Sequence, residues 1–407
     1  MKCRSCAAEL THTFLDLGFA PPSNAYLTEE DLSRPEKYYP LKIKVCNQCW
    51  LVQTEDYTEA GELFSSDYAY FSSTSSGWLA HAADYANMIS EKLDLSSDSL
   101  VMEIASNDGY LLRNFVSAGV PCLGIEPTAS TAAAAEALGI PVIRAFFGEQ
   151  LAGQLVDKGY RADLVVGNNV FAHVPDINDF TRGLKSVLSA TGTITLEFPH
   201  VMQLIEHAQF DTAYHEHFSY LSLYTVKRIF ESAGLRVYDV ETLATHGGSL
   251  RIYGCHKEAA RQTSGAVEQL LIQEARFGLQ DIKTYDGFQQ RADKIKNDFL
   301  GFLVDQKQNG KLVAAYGAAA KGNTLLNYAG VKPDLLPFVC DAAPSKQGKY
   351  MPGSHIPIIP PADLKRYCPD FVLILPWNIA AEVKGQHADL EQSGTRFVTV
   401  VPKLEIA

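Results

Sequence analysis

The chain changes character at Ser99-Leu-Val-Met-Glu-Ile-Ala-Ser-Asn-Asp-Gly109, where a short apolar strand enters a turn of small and polar residues. A helix is predicted at Leu111 to Ala118, and a second strand, Pro121 to Ile125, stops at Glu126. A turn of small residues lets a ligand approach the backbone, and an acid that ends the second strand can accept both ribose hydroxyl protons. We therefore expect a nucleotide-type site at this turn.

The composition of the turn favours one kind of cofactor. It has a single glycine, Gly109, after Asn107 and Asp108, whereas the pyrophosphate of a dinucleotide needs close backbone approach across several glycines. A nicotinamide cofactor therefore fits less well than S-adenosylmethionine. The expected cofactor-binding residues are Glu103, Ser106, Asn107, Asp108, Gly109, Glu126, Asn168 and Asn169.

Strands and helices continue to alternate along the chain. Further strands are predicted at Ile140 to Arg144, Ala162 to Gly167, Gly192 to Phe198, from Lys311 onward, and at Phe338 to Asp341, Phe371 to Leu375 and Phe397 to Val400. Repeated units of this length imply parallel sheets with ligand sites at the carboxyl ends of the strands. The expected fold class is α/β, with two Rossmann-like doubly wound domains preceded by a small zinc-binding module.

The zinc-binding module is predicted from two pairs of cysteines near the start of the chain. Tetrahedral zinc binds four thiolates, and a CxxC turn directs two sulfurs at one ion. Four unrelated buried or redox cysteines are the alternative, but two such turns rarely coincide without a metal. A closed four-cysteine site has no open coordination position, so the metal is expected to be structural. The predicted Zn²⁺ ligands are Cys3, Cys6, Cys46 and Cys49.

A cluster of titratable side chains lies in Phe210-Asp-Thr-Ala-Tyr-His-Glu-His-Phe218. Beside a cofactor pocket, such a cluster favours proton transfer. A metal site built from its Glu and His residues is an alternative, but the order His-Glu-His lacks the i, i+4 spacing of helical His ligands. Taken alone, each histidine fits a hydrogen-bonded structural residue better than a catalytic one, so the prediction of catalysis rests on the cluster.

The composition narrows the class of partner. The chain has 407 residues, of which 46% are hydrophobic, and 35 Lys+Arg against 47 Asp+Glu give a net charge of -12. This length supports at least two domains, and no basic cluster favours a nucleic acid or an anionic membrane. No segment approaches the run of about 18 apolar residues that crosses a bilayer, and Met1 to Cys6 is not an apolar signal core. We expect a cytoplasmic monomer that binds small molecules.

In this order, the features resemble the sugar C-methyltransferases that place a methyl group at C-3 of nucleotide-linked 4-keto deoxysugars. The resemblance covers nearly the whole chain. It rests on the paired CxxC turns and on Tyr68-Ala-Tyr-Phe-Ser-Ser73, Glu103 to Gly109, Gly124-Ile-Glu-Pro127, Ala172-His-Val-Pro175, Phe210 to Phe218, His246-Gly-Gly248, Tyr316-Gly-Ala-Ala-Ala-Lys321, Cys340-Asp-Ala-Ala-Pro-Ser-Lys-Gln347 and Pro376-Trp-Asn378. One departure is Ala105, where the family has glycine; its methyl group narrows the approach to the methionine part of the cofactor.

The resemblance implies three units along the chain. They are a zinc-binding module at 1–65, an S-adenosylmethionine-binding methyltransferase domain with a lid and a catalytic insertion at 66–258, and a helical connector with a C-terminal Rossmann-like nucleotide-sugar-binding domain at 259–407. The implied substrate is a nucleotide-linked 4-keto-6-deoxyhexose used in the biosynthesis of a branched deoxysugar. The implied catalytic residues are Tyr68, His173, Tyr214, Glu216 and His217.

On the C-terminal side, lysines suit phosphate and an aromatic ring suits stacking, although a purely structural domain is the alternative. The expected substrate-binding residues are His246, Lys321, Asp341, Lys346, Trp377 and Asn378.

The chemistry can be argued from the residues themselves. A carbon next to a ketone becomes nucleophilic once a base removes its proton and a donor stabilises the enolate oxygen. His217 suits the base because its ordinary pKa of about 6.5 is close to neutral pH. Tyr214, Tyr68 or His173 can stabilise the enolate, and Glu216 can orient a ring or a sugar hydroxyl.

Two other readings use the same sequence features. An NAD-dependent nucleotide-sugar oxidoreductase has the same α/β architecture and would bind NAD tightly in place of S-adenosylmethionine. A non-catalytic nucleotide-sugar-binding protein would have no need of the Tyr-His-Glu-His cluster, which makes that cluster the discriminating feature.

Overall fold

A computed structural model describes residues 1–55, 57 and 71–407 of the chain. The predicted catalytic residue Tyr68 lies outside the described residues. Within the described ranges, the backbone forms a four-stranded, a seven-stranded and a six-stranded sheet. No helix in this part of the chain combines the length and the apolar character that spanning a bilayer requires.

The strands and helices follow one another in the order that the alternating sequence pattern predicts. The strands are β1 (His12–Ala20), β2 (Tyr39–Val45), β3 (Val52–Thr54), β4 (Val101–Ile104), β5 (Cys122–Ile125), β6 (Val142–Ile143), β7 (Ala162–Asn168), β8 (Leu188–Pro199), β9 (Ser219–Tyr220), β10 (Leu235–Leu243), β11 (Ser249–His256), β12 (Val313–Tyr316), β13 (Val339–Cys340), β14 (Ile358–Ile359), β15 (Phe371–Ile374), β16 (Arg396–Thr399) and β17 (Glu405–Ile406). The α-helices are α1 (Ser76–Leu93), α2 (Leu112–Ser117), α3 (Ala129–Ala137), α4 (Glu149–Asp157), α5 (Ile177–Val187), α6 (Val201–Glu206), α7 (Leu223–Ser232), α8 (Gly265–Phe277), α9 (Phe288–Gln308), α10 (Ala320–Ala329), α11 (Ala362–Tyr367), α12 (Ala380–Gln386) and α13 (Ala388–Gln392).

The N-terminal sheet is antiparallel, with the order β1-β2-β3-β9. Along β2, the side chains of Leu41, Ile43 and Val45 are buried while the residues between them are partly exposed, which is the alternation expected for a sheet with one covered face. The fourth strand, β9, comes from much later in the chain, directly after the titratable cluster. The N-terminal module therefore includes a strand from the central part of the chain.

The central sheet has the order β10-β11-β8-β7-β4-β5-β6. Strands β6, β5, β4, β7 and β8 are parallel, β11 is antiparallel to them, and β10 is antiparallel to β11 and so runs in the same direction as the first five. All four residues of β4 are buried, as expected for a strand covered on both faces. The chain order reverses between β4 and β7, and in such sheets ligands bind at the carboxyl ends of the strands on either side of that point.

The C-terminal sheet repeats this arrangement with the order β14-β13-β12-β15-β16-β17. Its first five strands are parallel, and the chain order reverses between β12 and β15. The predicted α/β class with two Rossmann-like doubly wound units after a small N-terminal module is confirmed.

The helical connector contributes to the core. Helix α9 buries Phe288, Ile295, Phe299 and Leu303 along one stripe, with the helical spacing of an amphipathic helix. The ring of Phe288 lies with its centroid 4.5 Å from that of Phe14 on β1. The connector thus packs the N-terminal sheet against the C-terminal unit.

A buried carboxylate joins α8 to the start of α7. Glu274 is fully buried, and its Oε1 accepts hydrogen bonds from His200 Nε2 at 2.8 Å and from the Leu223 backbone N–H at 2.6 Å. Its Oε2 accepts from the Tyr224 backbone N–H at 2.9 Å. The first turn of a helix has N–H groups without helical partners, and Glu274 satisfies two of them here.

We expect Glu274→Ala to lower the free energy of unfolding by about 3 kcal/mol, because it removes one partner of a buried, hydrogen-bonded group. Glu274→Gln retains an acceptor oxygen and should lose less. The matched control is Glu268→Ala, an exposed position on the same helix, where the change should be below about 1 kcal/mol. Urea denaturation followed by circular dichroism measures all three, and equal stabilities of Glu274→Ala and the control would contradict the prediction.

Candidate active site and metal centre

The loop after β4 has an unusual backbone conformation. Ala105, Asn107 and Gly109 have positive φ values of 58°, 50° and 78°. A Cβ atom at Gly109 would lie 2.5 Å from Cδ1 of Ile140, so the position requires glycine. The positive φ of Ala105 also accounts for a glycine at that position in the family, because the left-handed conformation costs an L-residue about 1 to 2 kcal/mol.

Glu126, at the end of β5, holds this loop in place. Its Oε2 accepts a hydrogen bond from the Asn107 backbone N–H at 2.9 Å, and its Oε1 accepts from the Thr128 backbone N–H at 2.8 Å. A carboxylate has about four lone-pair positions, so these two bonds leave acceptor capacity for ribose hydroxyls. The acid predicted at the end of the second strand therefore lies beside the predicted cofactor loop.

Several buried polar atoms surround the loop without protein partners. In the described ranges, Ser106 Oγ, Asp108 Oδ1 and both amide atoms of Asn168 have no hydrogen-bond partner. Ser106 and Asp108 follow β4, and Asn168 ends β7. These atoms therefore lie at the carboxyl ends of the two strands between which the chain order reverses. Unsatisfied buried polar groups are costly and rare in proteins, so this set fits a polar ligand such as the amino-acid part of S-adenosylmethionine.

Glu103 is a predicted cofactor residue that lies within β4. It is buried within β4, and burial raises its pKa well above the ordinary value, with the charges of Glu126 and Asp108 acting in the same direction. A carboxyl group in this environment favours its protonated form, which can donate a hydrogen bond as well as accept one.

His217 is buried and carries its proton on a defined nitrogen. Its Nδ1 lies 2.9 Å from the Thr212 carbonyl oxygen, which can only accept, so Nδ1 donates and Nε2 keeps a lone pair. The ring of Tyr214 lies 3.9 Å from the His217 ring, and that of His173 lies 4.6 Å away. Burial lowers the pKa of His217 well below 6.5, helped by the charges of His173, His246 and Lys321, so the ring is neutral at pH 7.

His173 has the same tautomer. Its Nδ1 donates to the Glu216 carbonyl oxygen at 2.8 Å, and burial lowers its pKa to about 4. Four of the five predicted catalytic residues are therefore brought together: His173, Tyr214, Glu216 and His217.

His246 lies on the boundary between the predicted cofactor and substrate residues. Its Nε2 is 3.0 Å from Nδ2 of Asn169, which donates because an amide nitrogen cannot accept. The indole of Trp78, on α1, meets the His246 ring edge-on at 5.2 Å. Burial lowers the pKa of His246 to about 4. The two predicted groups of residues thus adjoin each other here.

One C-terminal residue, Trp377, reaches the segment that carries the predicted catalytic cluster, and Lys321 and Asn378 lie beside it. Lys321 Nζ donates to Asn378 Oδ1 at 2.7 Å and lies 4.4 Å over the Trp377 ring. Trp377 Nε1 donates to Asp211 Oδ2 at 2.7 Å. Burial lowers the pKa of Lys321 to about 8, against the opposing charge of Asp211, and burial raises the pKa of Asp211 to about 6.

The other two C-terminal residues organise the turn after β12. Asp341 accepts from the Ala318 backbone N–H at 2.7 Å and from the Ala343 backbone N–H at 2.8 Å. Lys346 Nζ donates to the Ala318 carbonyl oxygen at 2.9 Å and lies 3.5 Å from Asp341 Oδ2. Asp341 therefore accepts one N–H from the turn after β12 and one from the residue two positions after itself, as Glu126 does beside the turn after β4.

The four predicted zinc ligands converge. Their Sγ atoms all lie within 4.8 Å of one another, with 3.5 Å between Cys3 and Cys49 and 3.5 Å between Cys6 and Cys46. Four thiolates in a tetrahedron around zinc, each about 2.3 Å from the ion, are about 3.8 Å apart, so the arrangement fits the metal. Gln53 Nε2 lies 3.1 Å from Cys3 Sγ, in position to donate to a thiolate as outer-shell partners of metal sites do.

The cysteine module also holds the backbone of the catalytic segment. Thr54 Oγ1 donates to the His217 carbonyl oxygen at 3.1 Å, and the Thr54 backbone N–H donates to the Phe218 carbonyl oxygen at 3.2 Å. Arg4, inside the first CxxC turn, donates to the Pro175 carbonyl oxygen at 2.8 Å, two residues after His173. Arg4 thus links the first CxxC turn to the segment after His173, and Thr54 links the end of β3 to His217.

Sequence reasoning missed four of these residues. Arg4 lies within the first CxxC turn and Asp211 within Phe210 to Phe218, so their positions inside these motifs could have identified them. Thr54 and Asn24, which donates to Glu216 at 2.7 Å, belong to no motif. Their roles depend on contacts between distant parts of the chain.

Three family models match consecutive parts of the chain. The model described as "Putative zinc binding domain" matches residues 3–64, the methyltransferase domain model matches residues 69–240, and the model of the C-methyltransferase C-terminal domain matches residues 244–402. Together they follow the order of the three sheets.

A curated relative matches nearly the full length. C-methyltransferase NovU of Streptomyces niveus is 33% identical over 402 residues, which cover 99% of this chain and 96% of that protein. Among solved structures, magnesium protoporphyrin IX methyltransferase from Synechocystis PCC 6803 is 13% identical and covers 44% of this chain and 83% of its own, with a TM-score of 0.35. A methyltransferase from Clostridium acetobutylicum is 7% identical and covers 43% and 90%, also with a TM-score of 0.35. Scores of this size carry no argument about the site.

We expect one zinc ion per chain by elemental analysis. Cys3→Ser removes a thiolate and should lose the metal together with much of the stability of the N-terminal sheet, because structural metal binding contributes to folding. Cys368→Ser, at an exposed cysteine outside the cluster, is the matched control and should retain both. Full metal content and an unchanged melting temperature in Cys3→Ser would show that the site is wrongly assigned.

Proposed function

The chain belongs to the C-methyltransferase family, and on this premise we propose that it methylates C-3 of a nucleotide-linked 4-keto-6-deoxyhexose with S-adenosylmethionine as the donor. The observation that carries the proposal is the neutral, buried His217, whose Nε2 keeps a lone pair beside Tyr214 and His173. A C-methyltransferase must make a carbon nucleophilic, and a base next to hydrogen-bond donors is the group that the reaction needs.

In this proposal, His217 removes the proton from the carbon next to the ketone. Its Nδ1–H is held by the Thr212 carbonyl, so the basic nitrogen has a fixed direction. The ketone is obligatory, because without it the acidity of the C–H bond is far beyond the reach of an imidazole. Tyr214 and Tyr68 can donate to the enolate oxygen that forms, and Glu216 can orient a sugar hydroxyl.

S-adenosylmethionine supplies an electrophilic methyl group on sulfur when it is bound. The residues that fit it are those at the carboxyl ends of β4, β5 and β7, where Glu126 offers acceptors and Ser106, Asp108 and Asn168 have unsatisfied polar atoms. This edge of the sheet adjoins His246 through Asn169, which supports a cofactor beside the substrate.

We further propose that the nucleotide sugar binds between the two Rossmann-like units. Three residues of the C-terminal unit support this, because Trp377 donates to Asp211 in the predicted catalytic segment, and Lys321 lies over the Trp377 ring and donates to Asn378. The charge of Lys321 acts on His217, so the same cation can stabilise an enolate or a phosphate. Lys346 and Asp341 would complete the C-terminal wall.

The domain division that we propose is 1–65, 66–258 and 259–407. The pairing of β9 with β3 and the packing of α9 against β1 join these three units, so we expect them to act together.

Incubation with S-adenosylmethionine and a panel of nucleotide-linked 4-keto-6-deoxyhexoses tests the function. We expect one substrate to gain the mass of one methylene, and its 4-hydroxy counterpart to remain unchanged. His217→Asn keeps the approximate shape without the basicity, and should lose about 100- to 10,000-fold in kcat while still binding substrate. His207→Asn, at an exposed histidine, is the control. A loss below about tenfold would assign the base elsewhere, to His173 or His215.

The pH dependence of kcat/KM should reflect His217 and Lys321, because burial lowers the pKa of both groups. His217 works only without its proton and has a pKa well below 6.5, so kcat/KM should hold as the pH falls to 6.5 and decline only below it. Lys321 works only with its proton, and its pKa of about 8 predicts a decline above that pH. Lys321→Arg should remove the alkaline decline, since guanidinium keeps its proton, whereas the exposed control Lys311→Arg should keep it. An acid decline centred at or above pH 6.5 would contradict the role of His217.

A further inference from the structure

We propose that Asn24, in the loop between β1 and β2, is a positioning residue that holds the Glu216 carboxylate for the reaction at His217. The inference rests on the proposed function, in which Glu216 orients a group of the substrate. It assigns a part in catalysis to the N-terminal module beyond metal binding.

The contact between the two side chains has a defined polarity. Asn24 Nδ2 lies 2.7 Å from Glu216 Oε2, and Glu216 is 1% exposed. An amide nitrogen can only donate, so Asn24 donates and the Glu216 carboxyl oxygen accepts. Hydrogen bonds to a charged group are shorter and about twice as strong as neutral ones, and this distance lies at the short end of that range.

The loop that carries Asn24 is fixed on both sides. Ser23 is buried with its Oγ 3.5 Å from Thr324 Oγ1, and Thr324 donates to the Ala213 carbonyl oxygen at 2.8 Å. Tyr26 donates to the Ala318 carbonyl oxygen at 2.5 Å. The loop is therefore anchored to α10 and to the turn after β12, and Asn24 reaches Glu216 from a rigid base.

Glu216 needs this support because of its neighbours. Its own carbonyl oxygen accepts from His173 Nδ1, so the backbone at this residue already orients one catalytic histidine. Its side chain follows Tyr214 and precedes His217 within one tight segment. The bond from Asn24 contributes to fixing one orientation of the Glu216 carboxyl group beside the proposed base.

A double-mutant cycle tests the inference through kcat. Asn24→Asp replaces the donor with a second carboxylate at nearly constant shape and should lower kcat about 10- to 100-fold, which is the range expected for loss of a hydrogen bond to a charged group. Glu216→Gln should also lose activity. In the double variant the losses should not add, because Asn24 acts through Glu216. The affinity for S-adenosylhomocysteine should stay unchanged throughout.

Asn24→Ala removes the donor without adding a charge, and serves if the aspartate variant is unstable. The matched control, Asn309→Asp, makes the same substitution at an exposed site at the end of α9 and should be neutral. A merely structural role of Asn24 would lower the melting temperature and give losses in kcat that add to those of Glu216→Gln, and this result would overturn the inference.

Thermal unfolding gives the melting temperatures of the four proteins of the cycle, namely the wild type, Asn24→Asp, Glu216→Gln and the double variant, and it requires no substrate. Non-additive melting temperatures with no methylation of any 4-keto sugar would reject the proposed function and retain the support of Glu216 by Asn24. Additive melting temperatures together with additive losses in kcat, or with no activity at all, would reject the role of Asn24 itself.

Discussion

The pairing of two short strands, β3 and β9, determines where the reactive side chains lie. Val52 pairs with Tyr220 and Gln53 with Ser219, so the strand that follows the second cysteine pair lies directly beside the strand that follows the predicted catalytic segment. All residues of both strands are buried, and a slip of one residue would turn every one of these side chains to the opposite face of the sheet, so packing on the two faces fixes the register. Thr54 extends the pairing to the carbonyl of His217. Zinc bound at the cysteines would therefore stabilise the same sheet that positions the base.

Burial between the two Rossmann-like units then gives these side chains their chemistry. Removal of water disfavours the charged form of each group, which keeps His173 and His217 neutral and lowers the pKa of Lys321. The same effect raises the pKa of Asp211, whose bond to Trp377 joins the two units. Neither unit alone provides this environment, since the histidines come from one and the lysine from the other.

In both Rossmann-like units, a carboxylate side chain holds the turn at which the chain order reverses. Glu126 and Asp341 each follow the second strand of their sheet. Each accepts one backbone N–H from the turn after the first strand and one from the residue two positions after the acid itself. The carboxylates satisfy donors that no strand or helix could satisfy there. A turn held in this way keeps its N–H groups and small residues open to a ligand.

The sequence by itself determined the α/β class and the two cysteine pairs, and it predicted the core of the proposed catalytic cluster, because each depends on residues that are close in the chain. Strand and helix alternation is local, and so are the CxxC turns and the Tyr-His-Glu-His order. Only the tertiary structure decided that β9 joins the N-terminal sheet, that Lys321 acts on His217, and that Asn24 holds Glu216 from 192 residues away. These contacts have no sequence signature of their own, since an asparagine in a turn or a lysine in a helix is compatible with many neighbours. The packing of the three units decides which neighbour each of these side chains contacts.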